Sequence, residues 1–141
     1  MTEYGTTVTI AAPPERVWAI LTNGEDFARW NSTIVSLEGT ISEGETIALV
    51  STVNPKRTFN LTVSQVDAPT SMVWSDGMPL GLFAGVRTFR VTPTDDGGTE
   101  FSMREGYSGL LAGLITKTIP DMTKSFEAFA ADLRTEAETS N

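Results

Sequence analysis

The chain has 141 residues, and 40% of them are hydrophobic. This length suits one domain covering residues 1–141, large enough to bury a core of its own. The sequence contains no cysteine and no histidine, which excludes disulfides, thiolate nucleophiles, and the commonest metal ligand and general base near neutral pH. We therefore expect neither a metal nor a cofactor, and any acid–base chemistry must rely on Asp, Glu, Lys or Tyr.

The formal net charge is −8, which predicts that nucleic-acid phosphates and anionic membrane surfaces are repelled by the chain as a whole. No stretch approaches the roughly 20 apolar residues that cross a bilayer. The first ten residues, MTEYGTTVTI, show neither the basic region nor the apolar region of a signal peptide. We expect no nucleic-acid partner, no membrane insertion and a cytoplasmic location.

The N-terminal segment predicts a strand followed by two short helices. Residues 5–10 alternate between apolar and polar side chains, which is typical of a half-buried strand. Pro14 suits the first turn of a helix, and Asn23-Gly24 ends the apolar stripe that follows it. A second short helix is predicted from Glu25 to Trp30.

From Thr33 to Tyr107 the pattern predicts strands separated by short turns. The clearest turn signal is Asp95-Asp96-Gly97-Gly98, which indicates a hairpin. Short connections throughout favour an antiparallel meander over parallel units. The predicted strands are Thr33–Gly39, Thr46–Val53, Arg57–Val66, Ser71–Asp76, Ala84–Thr92 and Thr99–Tyr107.

The C-terminal third predicts a long helix that needs the sheet for its stability. Apolar residues step by three and four between residues 119 and 137, with charged residues mostly on the remaining positions. Residues 110–117 are also apolar and predicted to be helical, and Pro120 should kink or break the helix. The apolar stripe consists of Ile119, Met122, Phe126, Phe129, Ala130, Leu133 and Ala137.

Four stretches in this order resemble one superfamily. They are VTIAAPPERVWAILTNGEDFARWN (8–31), VDAP before MVW (66–74), GVRTFRVTPTDDGGTEFSMREGYSG (85–109) and FEAFAADLRTEAE (126–138). The sequence resembles the helix-grip fold of the SRPBCC superfamily, which includes START domains, birch-pollen-allergen-like proteins and polyketide cyclase/dehydrase-like proteins. This resemblance implies an α+β fold, in which a curved antiparallel sheet of about seven strands grips the long C-terminal helix. It also implies a cavity between them for lipids, hormones, polyketides or other apolar ligands.

Strand alternation assigns an inner face to the last hairpin. Phe101, Met103, Glu105 and Tyr107 share one face of the final strand. A turn centred on residues 95–98 then predicts the cross-strand pairs Val91–Phe101, Phe89–Met103 and Arg87–Glu105. The last pair is an inward-facing ion pair with three open interpretations: a half-solvated pair at the end of the sheet, an anchor for a ligand's polar head, or a catalytic Glu105 with a raised pKa.

The predicted cavity wall combines apolar and aromatic side chains with a few polar groups, although most such side chains in any protein are simply core. Residues 77–85 are apolar yet rich in Gly and Pro, which indicates either a flap over the cavity mouth, facing residues 110–114, or a packed loop or dimer contact. Arg57 is interpreted as a solvated surface charge. The candidate ligand-binding residues are Trp30, Trp74, Asp76, Phe83, Arg87, Phe89, Met103, Glu105, Tyr107, Met122 and Phe126.

Three functions are compatible with this sequence. The first, which we favour, is binding of a small hydrophobic ligand of lipid, polyketide or aromatic type. The second is an enzyme resembling polyketide cyclases, in which Glu105, Asp76 or Tyr107 supplies the acid or base; the absence of histidine weighs against it. The third is a protein-interaction module resembling Hsp90 cochaperones. A homodimer is left open.

Overall fold

Seven antiparallel strands form one sheet in the order β1-β7-β6-β5-β4-β3-β2 in the computed structural model, which describes residues 3–139. All seven predicted strands are present and every neighbouring pair is antiparallel. The strands are β1 (Glu3–Ile10), β2 (Ile34–Glu38), β3 (Thr46–Ser51), β4 (Asn54–Asp67), β5 (Ser71–Met78), β6 (Phe83–Pro93) and β7 (Thr99–Ser108).

The helices lie between β1 and β2 and after β7. They are α1 (Pro14–Leu21), a 3-10 turn (Gly24–Asp26), α2 (Phe27–Trp30), α3 (Ala112–Ile115), a second 3-10 turn (Thr116–Thr118) and α4 (Thr123–Thr139). The predicted break at Pro120 is confirmed, and the long helix begins only at Thr123. Just before the helix, Asp121 Oδ1 accepts a hydrogen bond from the Thr123 N–H at 2.9 Å, an Asx turn that leads into the first helical turn.

One turn differs from the sequence prediction. The sequence predicts a break between the strands Thr46–Val53 and Arg57–Val66, but β4 begins at Asn54, which pairs with Ser51 of β3. The tight turn is therefore at Thr52-Val53. Because the β3–β4 hairpin extends to this turn, residues 51–57 lie at the same end of the sheet as the β5–β6 turn.

An aromatic cluster under α4 forms the centre of the core. The ring centroid of Phe129 lies 5.7 Å from that of Phe27, 6.0 Å from Trp30, 5.8 Å from Phe89 and 6.3 Å from Phe101. Such offset and edge-to-face contacts stabilise the core beyond the burial of their apolar area. The buried stripe of α4 is Phe126, Phe129, Ala130, Leu133 and Ala137.

The C-terminal half of α4 is hydrogen-bonded to α1 and to residues next to the N-terminal helices. Arg16 Nε donates to the Ala137 carbonyl at 2.8 Å, and the Ser32 N–H donates to Asp132 Oδ2 at 2.8 Å. Glu138 Oε2 accepts from the Ala11 N–H at 2.7 Å. These three contacts hold this half of the helix in place, while its first turn extends over the other half of the sheet.

Candidate functional site

A cavity of about 160 Å³ lies between the first turn of α4 and one half of the sheet. The aromatic cluster packs on the other half. The sheet supplies one wall, and the segment between β7 and α4 supplies the other together with the first two turns of α4. The wall from the sheet includes Leu49, Arg57, Phe59, Leu61, Trp74, Asp76, Phe83, Gly85, Arg87, Glu105 and Tyr107. The helical side includes Ile115, Ile119, Met122, Ser125, Phe126 and Phe129.

A polar cluster on β6 and β7 lies in this wall. The predicted register is confirmed, with Arg87 opposite Glu105, Phe89 opposite Met103 and Val91 opposite Phe101. Arg87 Nε donates to Glu105 Oε1 at 2.9 Å, and the two side chains are only 11% and 16% exposed. The Tyr107 hydroxyl donates to the other oxygen, Oε2. The pair is therefore mostly buried, unlike the half-solvated surface pair considered from the sequence.

Aromatic stacking of Arg87 and the raised pKa of Tyr107 define the chemistry of this cluster. The guanidinium carbon of Arg87 lies 4.8 Å from the centre of the Phe126 ring, so the charge stacks on an aromatic side chain of α4. Burial, followed by the Glu105 carboxylate, raises the pKa of the Tyr107 hydroxyl far above its ordinary value. Tyr107 thus keeps its proton and acts as a donor to Glu105 at all physiological pH values.

Asp76 is the carboxylate in the cavity wall that lacks such partners. It lies on β5 opposite Gly85, is half-buried, and receives no hydrogen bond from the residues that the structure describes. Burial, with a second contribution from the negative charge of Glu105, raises the pKa of Asp76 above its ordinary value of 3.8. Its carboxyl group is available to a molecule in the cavity.

Gly85 keeps the floor of the cavity open beside Asp76. A Cβ atom at this position would lie 3.2 Å from Asp76 Oδ1 and 3.5 Å from the Tyr107 ring. The first separation is tighter than ordinary contact, so a side chain here would displace the carboxylate and fill the recess between the two residues. The absence of a side chain at Gly85 therefore shapes the polar end of the cavity.

We expect Asp76→Asn to stabilise the protein at pH 7 by about 0.5–1 kcal/mol, a range typical of relieving an unfavourable charge. Because the folded state holds this proton more tightly than the unfolded chain, stability falls as pH rises from 3.8 through the raised folded pKa. The gain should therefore be present at neutral pH and vanish below pH 3.8, as measured by urea unfolding at both pH values.

The matched control is Glu100→Gln, the same chemical change on an exposed residue of β7. It reports the general effect of removing one negative charge from an acidic protein. An equal gain in both variants at pH 7, or a gain for Asp76→Asn that persists in acid, would show that the cavity environment of Asp76 is not responsible.

The structure brings most of the candidate ligand-binding residues together. Three do not reach the cavity: Trp30, Phe89 and Met103 are buried in the core around Phe129. Alternation places Phe89 and Met103 on the correct face, but this pair is one step closer to the Asp95–Gly98 turn than Arg87 and Glu105. There the side chains pack in the core with Phe129 of α4. The candidates that line the cavity are Trp74, Asp76, Phe83, Arg87, Glu105, Tyr107, Met122 and Phe126.

Several lining residues were not selected from the sequence. Phe59 and Leu61 belong to the inward stripe of β4, and that stripe was the signal that they face the interior. Arg57 is exposed, as expected, but its guanidinium lies 4.5 Å from the centre of the Phe59 ring at the edge of the cavity. Ile115 and Ile119 belong to the apolar helical pattern predicted for this part of the chain, but they lie in α3 and just after the second 3-10 turn rather than in α4. The pattern does not reveal that this segment lines the cavity.

The segment from Gly77 to Gly85 is a hairpin end rather than a long loop. Strands β5 and β6 pair as far as Met78 and Phe83. The Leu110 N–H donates to the Gly81 carbonyl at 3.1 Å, and the Leu111 N–H donates to the Leu82 carbonyl at 2.7 Å. The predicted juxtaposition with residues 110–114 is therefore present, and its action as a flap stays a prediction.

Two absences hold for residues 3–139. No group of three or more Asp or Glu side chains in this range is arranged to hold a metal ion. No helix in the same range is long and apolar enough to cross a membrane.

Comparison with known proteins places the chain in a family. The model of the family described as polyketide cyclase / dehydrase and lipid transport matches residues 1–138, and the chain belongs to this family. The fold is the curved sheet and C-terminal helix of the SRPBCC type. A comparison with curated proteins gave no sequence match.

Solved structures with low sequence identity share this fold. A hypothetical protein, jhp0584, from Helicobacter pylori has a TM-score of 0.78 at 10% identity, covering 97% of this chain and 88% of its own. The di-domain ARO/CYC protein BexL from the BE-7585A biosynthetic pathway has a TM-score of 0.74 at 14% identity, covering 99% of this chain and 51% of its own. The Aha1 dimer from Colwellia psychrerythraea has a TM-score of 0.72 at 14% identity, covering 100% of this chain and 99% of its own.

Proposed function

We propose that this protein binds a small apolar molecule in the cavity, with the ligand's polar group directed towards Asp76 and Arg87. The single observation that carries this proposal is a cavity of about 160 Å³ beneath the start of α4. A dry apolar cavity of about 150 Å³ holds benzene. The volume favours a one-ring aromatic ligand, because a multi-ring polyketide or a long acyl chain would require the cavity to expand.

The polar groups of the cavity wall would fix the orientation of the bound ligand. Arg87 uses its Nε on Glu105, which leaves its terminal N–H groups as donors to a carbonyl or hydroxyl oxygen. Asp76 supplies an acceptor on the neighbouring strand. A ring bearing one hydroxyl or carbonyl group therefore suits this cavity, since a few placed polar groups in an apolar wall fix orientation.

We expect para-cresol to bind the wild-type protein and not the Ser125→Trp variant. Ser125 is a small residue of α4 in the cavity wall, so an indole at this position occupies the space that the ring needs. The readout is carbon-labelled methionine methyl NMR. Titration should shift the methyl signal of Met122, which lines the cavity, and leave that of Met72, which is in the core.

The control is Thr135→Trp, which adds the same side chain to an exposed position on the same helix and should bind para-cresol as the wild type does. Unchanged binding in Ser125→Trp, or the absence of a saturable Met122 shift in the wild-type protein, would contradict the proposal.

A second candidate function rests on Asp76 having no hydrogen-bond partner among the described residues. Its carboxylate can remove a proton from the carbon next to a ligand carbonyl, while Arg87 donates to the oxygen of the resulting enolate. Glu105 is less suited because Arg87 and Tyr107 already occupy both of its oxygens.

Acetophenone in deuterated water tests this second function: the wild-type protein should catalyse exchange of the acetophenone methyl protons, and Asp76→Asn should not. Exchange at equal rates in both would exclude Asp76 as the base.

A further inference from the structure

Four apolar side chains are exposed together at the end of the molecule where the cavity lies. Leu80 is 92% exposed, Leu110 84%, Leu114 65% and Met78 47%. The hydrogen bonds between residues 81–82 and 110–111 hold the β5–β6 turn against the segment that begins α3. We call these four side chains the apolar tip.

The apolar tip is fixed in place by close backbone approach. Gly109 has a φ of 109°, and a Cβ there would lie 2.7 Å from the Leu82 carbonyl oxygen. Only glycine permits this contact. The leucines on either side of the contact thus project from two joined turns, rather than from a single free loop.

Exposed positive charges lie on the segments that border the cavity, at the same end as the apolar tip, although the chain is acidic overall. The sequence contains three lysines, Lys56, Lys117 and Lys124, and all are exposed on segments that border the cavity. Arg57 lies beside Lys56 at the same end. Among the described residues, the exposed acidic side chains on these segments include Asp121, Glu127 one turn after Lys124, and Glu3, which is paired with Arg104 at 3.5 Å.

We propose that the apolar tip and its three lysines form a docking surface for an anionic lipid bilayer. Leucine side chains on this surface would enter the boundary between head groups and acyl chains, while the lysines contact lipid phosphates. The net charge of −8 predicts repulsion at long range. Since charges more than about 8–10 Å from the contact are largely screened at physiological salt, the local lysines decide the interaction.

A bilayer fits this surface better than a second copy of the chain does. In a twofold dimer the same patch faces itself, so the lysines of both copies would be brought together around the leucines. An anionic bilayer instead supplies the complementary charge. It also holds apolar molecules of the kind that the cavity would accept, next to the end of the protein where the cavity lies.

The test is co-sedimentation of the full chain, without added ligand, with phosphatidylcholine vesicles containing 0% or about 40% phosphatidylglycerol. We expect binding to the anionic vesicles only. Leu80→Asn/Leu110→Ser should weaken it by about tenfold or more, because it removes the inserted side chains. Asn tolerates the left-handed backbone at residue 80, where φ is 62°. Lys117→Glu should weaken binding by about fivefold or more.

Two controls keep the test specific. Arg90→Glu changes the net charge as Lys117→Glu does, but it lies on β6 towards the opposite end, where β6 pairs with Ser71 and Ser102. Val86→Thr alters an exposed apolar residue on the sheet outside the apolar tip. Both should bind vesicles as the wild type does.

The proposal is overturned if the wild type does not bind anionic vesicles, or if Arg90→Glu weakens binding as much as Lys117→Glu does. It is also overturned if Leu80→Asn/Leu110→Ser leaves vesicle binding unchanged. If the wild type is a dimer that binds no vesicles, and this double variant is a monomer in sedimentation velocity, the apolar tip is a dimer interface instead. Because no ligand is used, these outcomes are independent of whether the cavity binds para-cresol.

Discussion

Replacing Phe129 by alanine is expected to lower the free energy of unfolding by about 3–5 kcal/mol, the range for deleting a buried phenylalanine. Phe129 is 1% exposed and its ring contacts four other aromatic rings. The loss combines the transfer free energy of the ring with a void that these large neighbours cannot fill. Urea unfolding followed by tryptophan fluorescence measures it.

Phe59→Ala is the matched control, because it removes the same side chain from a half-buried position at the edge of the cavity. Its cost should be about 1–2 kcal/mol, since part of the ring is already in contact with solvent. Equal losses in the two variants, or a loss for Phe129→Ala below that of Phe59→Ala, would show that the aromatic cluster is not the centre of the core.

The second large effect is expected for Glu105→Ala, which should cost about 2–4 kcal/mol by leaving a buried arginine without its partner. Arg87 Nε loses its acceptor, and the Tyr107 hydroxyl loses the oxygen to which it donates. The same variant should weaken para-cresol binding, because Arg87 is no longer held in position in the cavity wall. Urea unfolding and the methionine NMR titration measure the two effects.

The double variant Arg87→Met/Glu105→Leu distinguishes the contribution of the ion pair to stability from the contribution of burying two side chains of this size. Replacing a buried ion pair by apolar side chains of similar volume is often neutral, so the double variant should recover more than half of the stability lost in Glu105→Ala. Glu3→Ala, which breaks an exposed pair with Arg104, should cost less than about 1 kcal/mol. A double variant less stable than Glu105→Ala would mean that the ion pair itself stabilises the fold.

The sequence predicted the face and register of the last hairpin because two constraints act together. The Asp95–Gly98 turn fixes the pairing, and a slip of one residue would turn Phe101 and Met103 towards solvent. Arg87 and Glu105 then have to meet on the inner face, where they do form an ion pair. The polar end of the cavity was predictable for this reason.

The depth of the cavity was not predictable in the same way. Phe89 and Arg87 share a face of β6, and only the position of α4 decides that one is core and the other lines the cavity. That position depends on distant contacts, such as Arg16 with the Ala137 carbonyl, and on the irregular path of residues 112–122. A contact between a side chain and a distant backbone carbonyl leaves no periodic signal in the sequence. The helical pattern of residues 110–122 does not reveal that the chain forms α3 and a 3-10 turn there before α4 begins.

The central claim, that the cavity holds a small apolar molecule, is tested most directly by native mass spectrometry of the purified protein, followed by denaturing extraction. Our account predicts that a single ring-sized molecule bearing a hydroxyl or carbonyl group is carried at one per chain by the wild type and Thr135→Trp, and is absent from Ser125→Trp. A wild-type protein that carries nothing and also fails to bind para-cresol would contradict the account.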